Sequence, residues 1–482
     1  MIRRSAWLLL VCAALASGPG CGKSQRLTVT YFGDFHSQFE PRETEAGERG
    51  GFARLAAVVA SVRAENPEAL LLVAGDHVQG TPFFNVFHGE PEMRSLDLLG
   101  VDAFALGNHE FDNGTEALRA MLEPVSVPVV SANVRVHGEP MVPAWTSLRA
   151  GGARVAVIGA TTSELPTIVA MSLNPGLTAL PESTEIAQAV AEVRSSHDLV
   201  VLLTHCGFAV DSLLAATIPG IDLIVGGHDH ITLHEPRFVP NGERGALIVH
   251  AGSRGEFLGR LDVTWQRGSG ITEWTGRLLP VDASVAPDSV AAAFVAGYRE
   301  QLSIDFSEVI AQAPQGCSAE GRSLGQTPLG WFVAESIRRA AGAEIGLQNS
   351  GGVRASIPPG PVTLEQVFRV LPFENTVVRC TLTGREVAEL AAFIESRRGG
   401  RGFAQLAGLE LGDGGPWIQG EPLDPEKSYR VATNSFVYDG GDGYTHFRDA
   451  TSGENLGIHL RTAFIALARE TGNLPSALVS SR

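Results

Sequence analysis

At 482 residues the chain is longer than one ordinary hydrophobic core organises, so two domains of roughly 150 to 250 residues are expected. Hydrophobic residues at 44% and charged residues at 19% are those of a folded globular chain, and no apolar run after the N-terminus is long enough to span a membrane. A formal net charge of −16 argues against nucleic acid as a partner, because that affinity comes from Lys and Arg neutralising phosphates; an anionic substrate would need a local reversal of the field.

The first segment, 1–25, reads as an export leader: Arg3 and Arg4 precede an apolar run over 6–16, small residues follow, and then Cys21. Two cleavage sites compete, Ala14-Leu15-Ala16 for simple removal and Gly20-Cys21-Gly22 for a lipoprotein acylated on Cys21. The second is favoured, although Gly18 stands where an aliphatic residue is usual. The mature chain is therefore expected to be exported, either periplasmic or lipid-anchored at the cell envelope, touching membrane only through Cys21. Past that residue the cysteines are Cys206, Cys317 and Cys380, widely spaced and without a Cys-x-x-Cys pair, which excludes a disulfide framework or zinc finger.

From 26 to 280 short apolar runs recur at 27–32, 69–74, 103–106, 155–158, 199–203, 221–225 and 246–249. Continuous runs of this length suit strands covered on both faces. Phe52, Leu55, Val59 and Val62 mark one face of a helix between the first two, so the spacing predicts an α/β sandwich with helices outside. A linker helix is expected within 281–305, with Val290, Phe294 and Tyr298 on one stripe. The second domain, 306–482, reads as α/β too: helices at 329–341, 364–371 and 386–396, strands at 345–347, 377–382 and 429–432.

The chemistry sits just after the strands of the first domain. Phe32 is followed by Asp34 and His36, Ala74 by Asp76, Leu106 by Asn108 and His109, Leu203 by His205, and Val225 by His228 and His230. In α/β sheets ligand sites form outside the carboxyl ends of strands, so these groups can meet in one crevice. Two carboxylates, an amide and several imidazoles gathered there would repel or shift protonation unless divalent ions joined them. Oxygen and nitrogen donors without thiolate suit zinc, manganese, iron or cobalt. The remaining histidines, among them His77 and His250, are assigned to core or surface.

The ordered set D-x-H, G-D, G-N-H-E, H and G-G-H-x-H resembles the calcineurin-like metallophosphoesterases, and the whole chain from 26 onward is similar to exported two-domain 5′-nucleotidases. The resemblance implies a four-layer α/β/β/α sandwich carrying two divalent metal ions. Asp34, His36, Asp76 and His230 would hold one ion, while Asp76, Asn108, His205 and His228 would hold the other. It also implies that His109 points at the phosphate and that Asp112 orients its ring; a spacing of three folds Asp112 back if the turn opens a helix. The implied reaction is hydrolysis of nucleoside 5′-phosphates through attack by a metal-bound hydroxide, without a covalent intermediate.

In the second domain, "QNSGGVR" (348–354), "LPFEN" and "NSFVYDGGDGY" match the family's nucleoside pocket. By that match Phe373 and Phe436 sandwich the base, Asp442 binds ribose hydroxyls, Asn349 touches the base and Arg354 a phosphate. Gln326 and Trp331 stand where the family commonly has Glu and Asn, Arg322 is offset from a phosphate-binding position, and the segment after Arg354 lacks a further arginine. The metals and the base pocket lie in different domains, so the family implies closure about a hinge in 281–305. Alternative readings are a 2′,3′-cyclic nucleotide phosphodiesterase, a UDP-sugar pyrophosphatase, a sulfur-ester hydrolase, and a nucleoside-binding lipoprotein that does not hydrolyse.

Overall fold

In the first domain the apolar runs build two six-stranded sheets laid face to face. The computed structural model describes residues 24–478 apart from 45, 243, 303–304, 413–414, 448–449 and 451, so residues 1–23 of the expected leader, Cys21 among them, lie outside the described residues. One sheet runs Gly270–Pro280, Phe257–Gln266, Gln25–Phe32, Leu70–Val73, Ala103–Ala105, Val129–Val130. The other runs Arg237–Asn241, Arg244–His250, Leu223–Gly226, Leu199–His205, Ala153–Thr161, Trp145–Ala150.

The strand Leu70–Val73 shows why the runs are continuous. Leu70 and Leu72 enter the core between the sheets, while Leu71 and Val73 enter the core beneath the outer helices, so neither face meets water. Helices Phe52–Glu65 and Glu90–Leu99 cover the first sheet through Leu55, Val59 and Leu96. Helices Glu182–Val193 and Phe208–Thr217 cover the second through Ile186, Val190 and Leu214. The result is the four-layer α/β/β/α sandwich. The antiparallel hairpin of Phe257–Gln266 and Gly270–Pro280 is absent from the sequence expectation, because its outer strand is mostly polar and half-exposed.

Within each sheet the strands that precede the motifs are parallel. Gln25–Phe32 pairs in parallel with Leu70–Val73, and that strand with Ala103–Ala105. In the second sheet Leu199–His205 and Leu223–Gly226 are likewise parallel neighbours. Their carboxyl ends therefore share one edge of the sandwich.

The linker helix Ser289–Gln301 starts at Asp288, whose side chain accepts from Ala291 N at 2.8 Å. It packs on the first domain through Phe294, with ring centroids 5.7 Å from Phe52 and 6.2 Å from Phe39. Val290 does not join this stripe: it is 63% exposed, and Ala291 takes its place on the buried face beside Phe294 and Tyr298.

The second domain is a mixed five-stranded sheet in the order Ala404–Ala407, Ile345–Asn349, Ser428–Asn434, Thr376–Thr383, Glu454–His459. Helices Pro328–Ala340 and Leu460–Thr471 contribute to one of its cores, and Gly384–Ser396 to another. Thr363 and Thr383 cap their helices reciprocally with Gln366 and Glu386, satisfying backbone donors that would otherwise be orphaned.

Candidate active site

All seven candidate ligands from the first domain meet at the shared edge. Ligand atoms of Asp34, His36 and His230 lie within 4.8 Å of one another, and those of Asp76, His205 and His228 form a second such group. His205 Nε2 is 3.0 Å from Asp76 Oδ2, His230 Nε2 is 3.4 Å from Asp34 Oδ1, and His36 Nε2 faces His230 Nε2 at 3.0 Å. Asp34, His36, Asp76, His228 and His230 all adopt positive φ, between 49° and 93°. That conformation is costly for residues with a Cβ and persists where the surroundings demand it. The glycines of the motifs allow the loops to close: a Cβ on Gly107 would lie 2.3 Å from Asp76 Oδ1, and one on Gly75 2.6 Å from His205 Nδ1.

The protonation pattern suits a donor set for cations. Burial holds His36, His228 and His230 well below the usual imidazole range, reinforced by neighbouring cationic groups, so each keeps a lone pair. Burial pushes Asp34 up to about 7, eased by His205 and reinforced by Asp76. Asp76 is held well below the carboxylate range, because His205 and His109 outweigh its burial. Asn108 Oδ1 and His228 Nδ1 are buried without a hydrogen-bond partner, a cost unless something occupies the space before them. Divalent cations fit this set.

His109 opens one turn of 3₁₀ helix, His109–Phe111, and the turn brings Asp112 beneath the ring. His109 Nδ1 lies 2.7 Å from Asp112 Oδ2, which also accepts from Gln79 Nε2 at 3.0 Å. Burial lowers the His109 pKa, but Asp112 and Asp76 outweigh it and the net shift is upward.

A cavity of about 320 Å³ opens beside this pair, lined by Asn108, His109 and Asp112 from one domain and by Asn349, Phe373, Phe436 and Asp442 from the other. Asn349 Nδ2 donates to Asp442 Oδ2 at 2.7 Å, and Asn434 Nδ2 donates to Asn349 Oδ1 at 3.0 Å. Phe373 lies nearly parallel to the His109 ring, 5.7 Å away at 21°. Arg354 also lines this cavity, and no side-chain hydrogen bond or ion pair engages its guanidinium among the described residues. Burial and the nearby Arg401 and Arg322 bring its pKa down to about 10.

The calcineurin-like phosphoesterase family model matches residues 27–232, and that of the 5′-nucleotidase C-terminal domain matches 309–449. The crystal structure of a 5′-nucleotidase precursor from Thermus thermophilus is 30% identical, with a TM-score of 0.87 over 95% of this chain and 98% of that one. The chain belongs to the 5′-nucleotidase family. It is 29% identical to the 5′-nucleotidase of Rattus norvegicus over 92% of this chain and 88% of that protein. It is also 30% identical to the trifunctional nucleotide phosphoesterase protein YfkN of Bacillus subtilis over 95% of its own length, but spans only 34% of that longer protein. Family membership makes it a metal-dependent hydrolase of phosphoric esters.

Two residues of this 5′-nucleotidase-family chain escaped the sequence reading. Glu110 is buried, and its carboxylate accepts from Gly107 N at 2.7 Å, His77 N at 2.8 Å and Asp76 N at 3.1 Å, strapping two ligand loops together. Its place inside G-N-H-E was the available signal. Arg401 Nη2 reaches His228 Nε2 at 3.1 Å and supplies a second arginine beside Arg354. Nothing in its glycine-rich stretch marked it. Arg322 instead donates through Nε to Ser350 O at 3.0 Å, and Gln326 clips to Ala404 O and Leu406 N, so both are engaged by backbone. Among the described residues, no helix is long and apolar enough to cross a membrane.

Proposed function

We propose that the chain hydrolyses nucleoside 5′-phosphates to nucleoside and phosphate at a pair of divalent metal ions. One ion would be held by Asp34, His36, Asp76 and His230, the other by Asp76, Asn108, His205 and His228, with Asp76 shared. Zinc, manganese, iron and cobalt all suit this donor set. The observation that carries the reading is the buried, unpartnered pair Asn108 Oδ1 and His228 Nδ1, which line one cavity of about 740 Å³ together with Asp76 and His230. Ions held there would supply Lewis-acid polarisation of the phosphoryl group and activation of water.

The protein's own groups account for the rest. His109, whose charged form Asp112 and Asp76 favour, donates from Nε2 toward charge developing on the phosphoryl and leaving oxygens. Gln79 holds Asp112 so that the ring cannot turn away. Arg354 and Arg401 offset the charge of the phosphate. Phe373 and Phe436 flank the base and Asp442 accepts from ribose hydroxyls, while Asn349, tied to Asp442, faces the base edge. Stacking between aromatic faces tolerates different bases. The leader reading puts this activity outside the inner membrane, and motion about the segment 281–305 would open and reclose the boundary between the domains.

Product release from AMP, UDP-glucose and 2′,3′-cyclic AMP, measured after chelation and after adding back manganese or zinc, tests the reading. AMP is expected to be cleaved, only with metal restored. Intact AMP alongside cleaved cyclic nucleotide or nucleotide sugar would overturn the monoesterase assignment.

A further inference from the structure

Past His36 and His109 the cleft continues into a second chamber of about 320 Å³. Gln79, His109 and Arg354 border both this chamber and the base pocket, and Arg42, Arg254 and Arg354 also line the cavity that holds Asp76, Asn108, His228 and His230, so the chamber adjoins the scissile position. Its walls carry four arginines, Arg42 and Arg254 from the first domain and Arg354 and Arg369 from the second, against one carboxylate, Glu43. On a chain of net charge −16 that concentration reverses the local field.

Three of these arginines can be set against the proposed reaction. Arg42 pairs with Glu256 at 2.6 Å, yet its Nε is buried without a partner. Arg369 pairs with Glu365 at 3.0 Å and donates to Gln38 Oε1 at 3.2 Å across the domain boundary. Arg254 makes no side-chain hydrogen bond or ion pair among the described residues. Its backbone holds φ at 58°, a costly conformation for a residue with a Cβ, and its N–H donates to Asp34 O at 2.7 Å. A partly desolvated guanidinium without a partner is unfavourable unless an anion meets it.

We propose that this chamber is a second phosphoryl-binding subsite, in which Arg42, Arg254 and Arg369 hold a phosphate-type anion next to the one being cleaved. The inference rests on the nucleotidase reading for the position of the scissile phosphate. The occupant is either a further phosphoryl group carried by the substrate or free orthophosphate, and the two share one chemistry. Arg254 determines the preference, since the other two are already engaged.

The test uses the full-length, metal-loaded protein and Arg254→Asn, a replacement that tolerates positive φ and should leave the melting temperature unchanged. Methylenebisphosphonate is titrated calorimetrically. Loss of a charge-assisted contact is expected to weaken its binding about tenfold or more, with Arg254→Lys restoring most of it. In parallel, kcat/KM for a nucleoside diphosphate should fall in Arg254→Asn while that for the monophosphate stays level. If orthophosphate inhibition weakens as well, free phosphate also uses the chamber; if only the diphosphate suffers, the occupant is borne by substrate. Unchanged bisphosphonate affinity, or mono- and diphosphate turnover falling together, overturns the subsite. Absence of turnover on every nucleotide would count against the nucleotidase reading instead, and the titration would still report on the chamber.

Discussion

Replacing Glu110 with Gln tests whether the metal site is held from behind. The Glu110 carboxylate accepts three backbone N–H groups at 3.1 Å or less, two of them flanking the turn that carries Asp76 and one at Gly107 before Asn108. Glutamine keeps one acceptor oxygen and turns an NH₂ toward at least one of these donors. Each buried donor left without a partner costs about 1–3 kcal/mol, so the change should destabilise the first domain by roughly 3 kcal/mol. For a domain of that size this is about 6–12 °C in melting temperature. Because the same carboxylate spaces Asp76 from Asn108, metal affinity should fall about 10–100-fold. Calorimetric melting and metal titration of the same variant separate the two effects. A melting temperature within about 2 °C of the parent, less than the smallest shift expected for such a loss, together with unchanged metal affinity, would refute the idea that Glu110 is a strap.

His109→Ala should lower kcat by about 10²–10⁴ with metal content intact by elemental analysis, since the ring bonds to Asp112 and is not in either proposed ligand set. Parallel loss of metal would remove His109 from the chemistry. Phe436→Ala should raise KM for AMP about tenfold, the worth of one stacked base, while turnover of a small aryl phosphate without a base stays unchanged. Glu92 is fully buried, and burial raises its pKa from 4.5 to about 7 although Ser37 eases its charge. A raised folded pKa contributes stability that is complete below pH 4.5 and is lost as pH climbs through 7. Glu92→Gln should therefore stabilise the protein, by about 2 kcal/mol more at pH 8.5 than at pH 5.5 in denaturant melts. An equal gain at both pH values would mean that Glu92 does not titrate in that range.

How much of this was legible in the chain follows from what each residue needs. The ligands could be read because each follows a buried strand, and parallel strands end together: Asp34 follows Gln25–Phe32, Asp76 follows Leu70–Val73, and His228 follows Leu223–Gly226. The Asp112 partnership came from the family resemblance, and its spacing of three from His109 was compatible with it because the turn is helical. Arg401 could not, because its meeting with His228 depends on the docking of one domain on the other, which no local pattern encodes. Arg254 was hidden for a similar reason: its place by the metal loops comes from a turn pinned to Asp34 O, after a strand whose apolar run ends at 249. Val290 failed because a stripe spaced by four is equally well served by its neighbour Ala291, and only the packing of Phe294 against Phe52 chooses between them.

The docking of the two domains has an electrostatic consequence as well as a geometric one. Phe373 comes from the second domain and lies over the His109 ring at 5.7 Å. Closing the cleft therefore lays an apolar face on the His109–Asp112 pair, and a bond between charged groups strengthens as water leaves. The bridges that hold this arrangement include Asn85 to Pro372 O at 2.8 Å, Ser172 to Asp439 at 2.8 Å and Arg369 to Gln38 at 3.2 Å. Each is a single hydrogen bond worth on the order of 1 kcal/mol. Such a boundary can part to admit a nucleotide and release its products, while the proposed metal ligands, all from the first domain, stay together. On the proposed reading the first domain would keep the reactive geometry constant and the second would decide when that geometry is dry.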